Sequence, residues 1–125
     1  MSIIGNELTF GGGGSGEPEL LWTNPSPSAS FFSKTVTVAT GYSAYLIEFR
    51  RYVNSDAYST LYVPFLNSER YAVCHLNYLT PALYTRKINS ATDGAIVFGH
   101  CYDNDWDQDN YYSIPTRIWG VKWTI

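Results

Sequence analysis

Charge is scarce in this 125-residue chain. Asp, Glu, Lys and Arg make up only 15% of it, and eleven acids against eight bases leave a net charge of −3. Four of those acids, Asp103, Asp105, Asp107 and Asp109, sit together, and without them the balance is +1. Neither figure is the basic footprint that a nucleic-acid partner requires. No apolar run approaches the ~20 residues of a membrane span, and the start lacks a basic region followed by an apolar one, so no membrane insertion is expected and synthesis is assigned to the cytosol. Cysteine is equally sparse. Two residues, Cys74 and Cys101, are too few for a disulfide framework, and both are read as reduced core residues. Apolar positions never follow a helical period for longer than a turn, which excludes a helical body. No internal repeat occurs, which excludes a propeller or solenoid.

What the chain does contain is strand chemistry. Aromatic residues reach 17%, eleven of them tyrosine, which joins a large apolar ring to a polar tip and suits both strand faces and binding surfaces. The length suffices for one domain that buries about two-thirds of its unfolded surface. The most informative stretch is the last. In residues 113–125, Ile114, Thr116 and Ile118 fall on one face and Arg117 and Trp119 on the other. After Gly120 the phase slips to Val121, Trp123 and Ile125, which predicts a bulge.

Upstream, Leu20-Leu21-Trp22 is a short strand stopped by Asn24-Pro25-Ser26-Pro27, and 34–38 alternates with Val36 and Val38 inward. Tyr45, Ile47, Phe49 and Val53 form the inner face of a long strand whose Glu48 and Arg50 side is expected to be wet. Leu61, Val63 and Phe65 give another inner face, 71–76, 84–88 and 95–102 complete the set, and Asp93-Gly94 signals a hairpin between the last two. About eight strands at roughly ten-residue spacing predict an all-β fold, an antiparallel β-sandwich or jelly roll, over residues 20–125. Residues 1–19 are read as an N-terminal segment and a flexible tether built on Gly11 to Gly14. No Lys-Ser or Lys-Thr follows those glycines, so they are not a phosphate loop.

The candidate chemistry lies in 103–112. Carboxylates spaced two apart at Asp103, Asp105, Asp107 and Asp109 could gather oxygen ligands for Ca2+, yet the sixth position is Gln108 instead of glycine and the twelfth Ile114 instead of glutamate, so no EF-hand is present. A solvated hairpin loop is the plainer reading. Sugar contact is a second functional reading: Trp106, Tyr111 and Tyr112 offer rings to pyranose faces while Asp105 and Asp107 accept from hydroxyls. A glycosidase would need one acid in an apolar pocket, which a polar loop does not supply. His75 and His100 each adjoin a cysteine, on opposite faces of a strand, so neither pair forms a dyad. Arg50-Arg51 and Arg86-Lys87 are read as solvated strand residues or inter-chain partners. No catalytic residue and no confident metal ligand is assigned.

A glycine-rich head leading into Leu20-Leu21-Trp22-Thr23-Asn24-Pro25-Ser26-Pro27-Ser28-Ala29-Ser30-Phe31, the alternating Thr35-Val36-Thr37-Val38, and the ending Ile114-Pro115-Thr116-Arg117-Ile118-Trp119-Gly120-Val121-Lys122 resemble the small C-terminal β domains of tail-fibre and other virion structural proteins of bacteriophages and prophages of Gram-positive bacteria. The resemblance implies a non-enzymatic virion component, a homotrimer that joins other virion proteins and meets a glycan or protein on the host cell surface. The acidic loop and the tyrosine density lie outside that pattern. Tyr58 and Tyr78 are further candidates for the contact surface. A capsid decoration or fibre-cap protein without ligand, and a carbohydrate-binding module, are the alternatives.

Overall fold

The computed structural model describes residues 2–4, 7–9, 17–64, 70–77, 82–90 and 94–122. All regular structure among them is β. Strands β1 (Ser2–Ile4) and β2 (Glu7–Thr9) pair as a short antiparallel hairpin. The remaining eight are β3 (Glu19–Thr23), β4 (Lys34–Thr37), β5 (Ala44–Tyr52), β6 (Tyr58–Pro64), β7 (Arg70–Asn77), β8 (Ala82–Ser90), β9 (Ala95–Tyr102) and β10 (Tyr112–Val121). They form two four-stranded antiparallel sheets, ordered β3-β10-β5-β6 and β4-β9-β8-β7. The expected sandwich of about eight strands is therefore present. Three connections join neighbours within one of these sheets, β5–β6, β7–β8 and β8–β9, while β3–β4, β4–β5, β6–β7 and β9–β10 cross between them.

The core lies between the sheets. Tyr45, Ile47 and Phe49 of β5, Val63 of β6 and Ile118 of β10 meet Val36 of β4, Val73 of β7, Ile88 of β8, and Ile96 and Phe98 of β9. Among the described residues Phe98 has three aromatic neighbours, with ring centroids 5.6 Å from Phe31, 6.2 Å from Phe49 and 6.4 Å from Trp22. Burial of each such ring contributes about 1.5–3 kcal/mol. The period of two read from the sequence is what places these residues on one face.

Strand β10 is the hub of the first sheet, paired with β3 on one side and β5 on the other. A proline in a central strand loses a ladder donor, and Pro115 is accommodated at a register shift between Pro115 and Arg117 against β5. The bulge expected at Gly120 lies slightly earlier against β3, between Ile118 and Trp119. Gly120 has a different use. A Cβ there would stand 2.5 Å from the Tyr42 ring, so the missing side chain lets that ring lie against the backbone. Tyr42 in turn donates to the Glu19 carboxylate, and this bond holds its phenol up at about 12.

Several expectations need correction. Glu48 does not face open water: its carboxylate takes the Arg117 guanidinium through two bonds of 3.0 and 2.8 Å, accepts from the Thr116 hydroxyl at 2.8 Å, and is only 13% exposed. Cys74 is not a core thiol, because Val73 and His75 take the inner positions of β7 and leave it outside, 3.3 Å from the Thr85 hydroxyl. Cys101 is buried as expected, and burial pushes its thiol up to about 11. Arg86 is not solvated. It shares the inner face of β8 with Tyr84 and Ile88 and is fully buried, giving hydrogen bonds to the carbonyls of Ser113, Gly99 and Tyr112 at 2.8, 2.7 and 3.1 Å. Burial draws the guanidinium down to about 10, and the face of Phe31 at 5.3 Å completes its surroundings. The expectations for the 11–16 tether, Phe65, Tyr78, Asp93, Trp123 and Ile125 fall outside the described residues.

Candidate functional site

The acidic segment joins β9 of one sheet to β10 of the other, so it is a crossing loop and not the hairpin expected from sequence. Its tip nevertheless folds on itself. The Asp103 carboxylate accepts from the Asp105 and Asp107 amides at 2.9 and 3.0 Å, Trp106 N–H donates to the Asp103 carbonyl at 3.1 Å, and Asp103 N–H donates to the Asp107 carbonyl at 2.9 Å. An aspartate that closes its own turn in this way is common turn chemistry. Below the tip, Tyr102 bridges Gln108, and Asn110 anchors the return by accepting from Cys101 N–H at 2.9 Å through Oδ1. The loop is thus tied at both ends and the middle.

This arrangement leaves the calcium expectation without a donor set. One oxygen of Asp103 is engaged by two amides, Asp109 Oδ1 accepts from Tyr111 N–H, and among the described residues no group of three or more His, Cys, Asp or Glu is placed to hold a metal ion. The carboxylates of Asp105 and Asp107 lie at the exposed rim.

Trp106 is the outcome of the fold at the tip. It is 75% exposed and held at φ +63°, a left-handed conformation that costs a bulky residue about 1–2 kcal/mol. With Tyr102, Asp103 and Asn104 it forms one wall of a pocket of about 270 Å³, whose other wall is Leu83, Thr85 and Lys87 of β8. Alternation explains that second wall: Tyr84, Arg86 and Ile88 face the core, so the residues between them point out. An apolar bed of Trp, Tyr and Leu rimmed by hydroxyl, amide, ammonium and carboxylate groups can seat a small ring with an apolar face and a polar edge.

Of the residues singled out in the sequence, Trp106 alone of the three rings lines this pocket. Tyr111 is 54% exposed beyond it. Tyr112 is half-buried, stacked on Tyr84 at 3.5 Å with rings within 2° of parallel and tilted against Tyr52 at 4.6 Å. Burial, then the contact with Tyr112, pushes the Tyr84 phenol up to about 12. Tyr58 lies on β6 in the other sheet and lines a separate hollow with Glu48 and Arg117. Leu83, Thr85, Tyr102 and Asn104 were not singled out, and Lys87, read as a solvated strand residue or inter-chain partner, is exposed on this wall. Thr85 and Lys87 carried a signal as the outward partners of the 84–88 alternation, whereas their proximity to Trp106 depends on the Thr85–Tyr102 register.

A second constellation was also missed. His75 lies between two serines, its Nε2 2.7 Å from Ser59 Oγ and its Nδ1 2.7 Å from Ser113 Oγ. Serine beside histidine is the ground plan of a nucleophile and base. Here Ser113 is fully buried and His75 only 9% exposed, so the group joins β6 and β10 of one sheet to β7 of the other and offers a substrate little surface. Burial, and secondarily the charge of Arg51, holds the imidazole below its ordinary range. Comparison with protein-family models, with curated proteins and with solved structures gave no match to this chain.

Proposed function

We propose that this chain is a non-enzymatic binding head, of the kind a bacteriophage displays on a tail fibre, that works as a homotrimer and contacts a glycan on the host cell surface. The observation that carries the reading is Trp106, strained and 75% exposed at the tip of a loop whose own hydrogen bonds hold it over a pocket with Tyr102. Backbone strain at an exposed aromatic is retained where the ring has a use outside the fold. Pyranoses present C–H faces to such rings and hydroxyls to the surrounding Thr85, Lys87 and Asn104. The sequence resemblance supports the virion setting and the three-fold assembly, in which weak individual sites gain about 10²-fold or more in avidity.

The reading is tested on a glycan array followed by titration of the best sugar. Trp106→Ala is expected to weaken binding by about 2 kcal/mol, or roughly thirtyfold, with the melting temperature maintained. Unchanged binding would remove the pocket from the proposal. A fibre-cap or decoration role without ligand draws on the same exposed Leu83, Val97 and Trp106, which would then meet a neighbouring subunit. That role predicts an array without hits and protection of Trp106 from solvent quenchers in the assembly.

A further inference from the structure

We infer that the site takes a linear chain of several neutral sugar units, and that this chain lies along an aromatic track from Trp106 past Tyr102 and His100 to Phe32. The inference rests on the glycan reading above and extends it to the β3–β4 connection. Phe32 is 61% exposed while its neighbour Phe31 is buried, so the core does not require an aromatic residue there. Its ring centroid stands 6.2 Å from His100, and His100 stands 6.5 Å from Tyr102, which already lines the Trp106 pocket. Phe32 also borders a second hollow of about 310 Å³ with Ser30, Ser33 and Lys34. Two hollows joined by a line of rings suit an extended ligand better than a single terminal sugar.

The track is preformed. His100 Nδ1 accepts from Ser33 N–H at 3.4 Å and from the Asn110 side-chain amide at 3.1 Å, so the connection at one end and the loop at the other fix the same imidazole. That assignment leaves the ring proton on Nε2, a donor suited to a ligand hydroxyl. Prior ordering of this kind lowers the entropic cost of binding a long, flexible ligand. Single-stranded nucleic acid also stacks on aromatic tracks, but it needs a basic groove. Here Lys87 shares the first hollow with Asp103, on a loop that also carries the exposed Asp105 and Asp107, and Lys34 is the single basic residue lining the second, so the two hollows do not form the basic groove a polyphosphate needs.

The experiment titrates the full chain with cello-, chito- and malto-oligosaccharides of one to six units and, in parallel, with oligothymidylate. In at least one sugar series, affinity is expected to rise about tenfold or more with length before it levels off. Phe32→Ala should remove that gain and leave the shortest binding sugar unaffected, while Trp106→Ala should weaken every length. If Trp106→Ala weakens binding but length brings no gain, or the gain survives Phe32→Ala, the track is refuted and the pocket reading stands. If none of the sugars binds, or Trp106→Ala changes nothing, both fall. Tighter binding of oligothymidylate than of any sugar also overturns the inference.

Discussion

Trp106 occupies a backbone region that glycine fills without cost. Trp106→Gly is expected to raise stability by up to about 1 kcal/mol, the strain relieved less the added chain entropy of glycine, while glycan binding is lost. Denaturant midpoints and glycan titrations on the same variant check both halves. His75 presents the opposite case, a group whose burial makes stability depend on pH. Its imidazole is held below the unfolded value near 6.5, first by desolvation and then by Arg51, and the buried Arg86 guanidinium binds the carbonyl of its partner Ser113. The unfolded chain therefore takes up this proton at higher pH than the folded one. Stability is full above about pH 6.5 and falls as pH drops through the folded value. Urea midpoints between about pH 8 and pH 5 are expected to fall on the acid side, and His75→Gln should flatten that slope.

Strand boundaries and turns divide into those set by local chemistry and those set by neighbours. Gly41 and Gly94 both have positive φ, +93° and +84°. Around Gly41 nothing lies within 4 Å of an added Cβ, whereas at Gly94 that atom would meet the Val38 carbonyl oxygen at 2.2 Å. Gly41→Ala is therefore expected to cost about 1–2 kcal/mol from conformation alone. Gly94→Ala should cost clearly more, because the Val38–Gly94 backbone bond must also give way. The difference between the two in chemical denaturation isolates the contact, and equal losses would mean that the backbone relaxes around it. The β9–β10 loop shows the same division. Its turn could be anticipated from Asp and Asn, but that its ends belong to different sheets follows only from strand pairing.

For the molecule as a whole, the sandwich exposes two outer faces of different character. Around Glu48 and Arg117 the first carries a closed ion pair with Trp119 beneath the guanidinium at 4.8 Å, and the second carries the hollow between Leu83, Thr85 and Lys87 of β8 and the loop of Trp106. Light scattering is expected to give three chain masses for the full protein, as the proposed trimeric head requires. A monomer at high micromolar concentration would remove the avidity argument and leave a single-site carbohydrate-binding module.

Strand positions, the inner faces of β4 and β5, and the exposure of Trp106 were legible because a period of two and the turn residues that punctuate it are local properties. Arg86 was not, since nothing adjacent in the chain marks a buried cation. Three carbonyls from β9 and β10 accept it only after the sheets close. Nor were the Ser59–His75–Ser113 staple, the outward place of Cys74, or the alignment of Phe32 with His100 and Tyr102. The residues that meet in each of these lie far apart along the chain, and strand register with sheet order brings them together. Local sterics and hydrophobic alternation determined that this chain forms ribbons and where they turn; which side chains meet across them was decided by the packing of one sheet on the other.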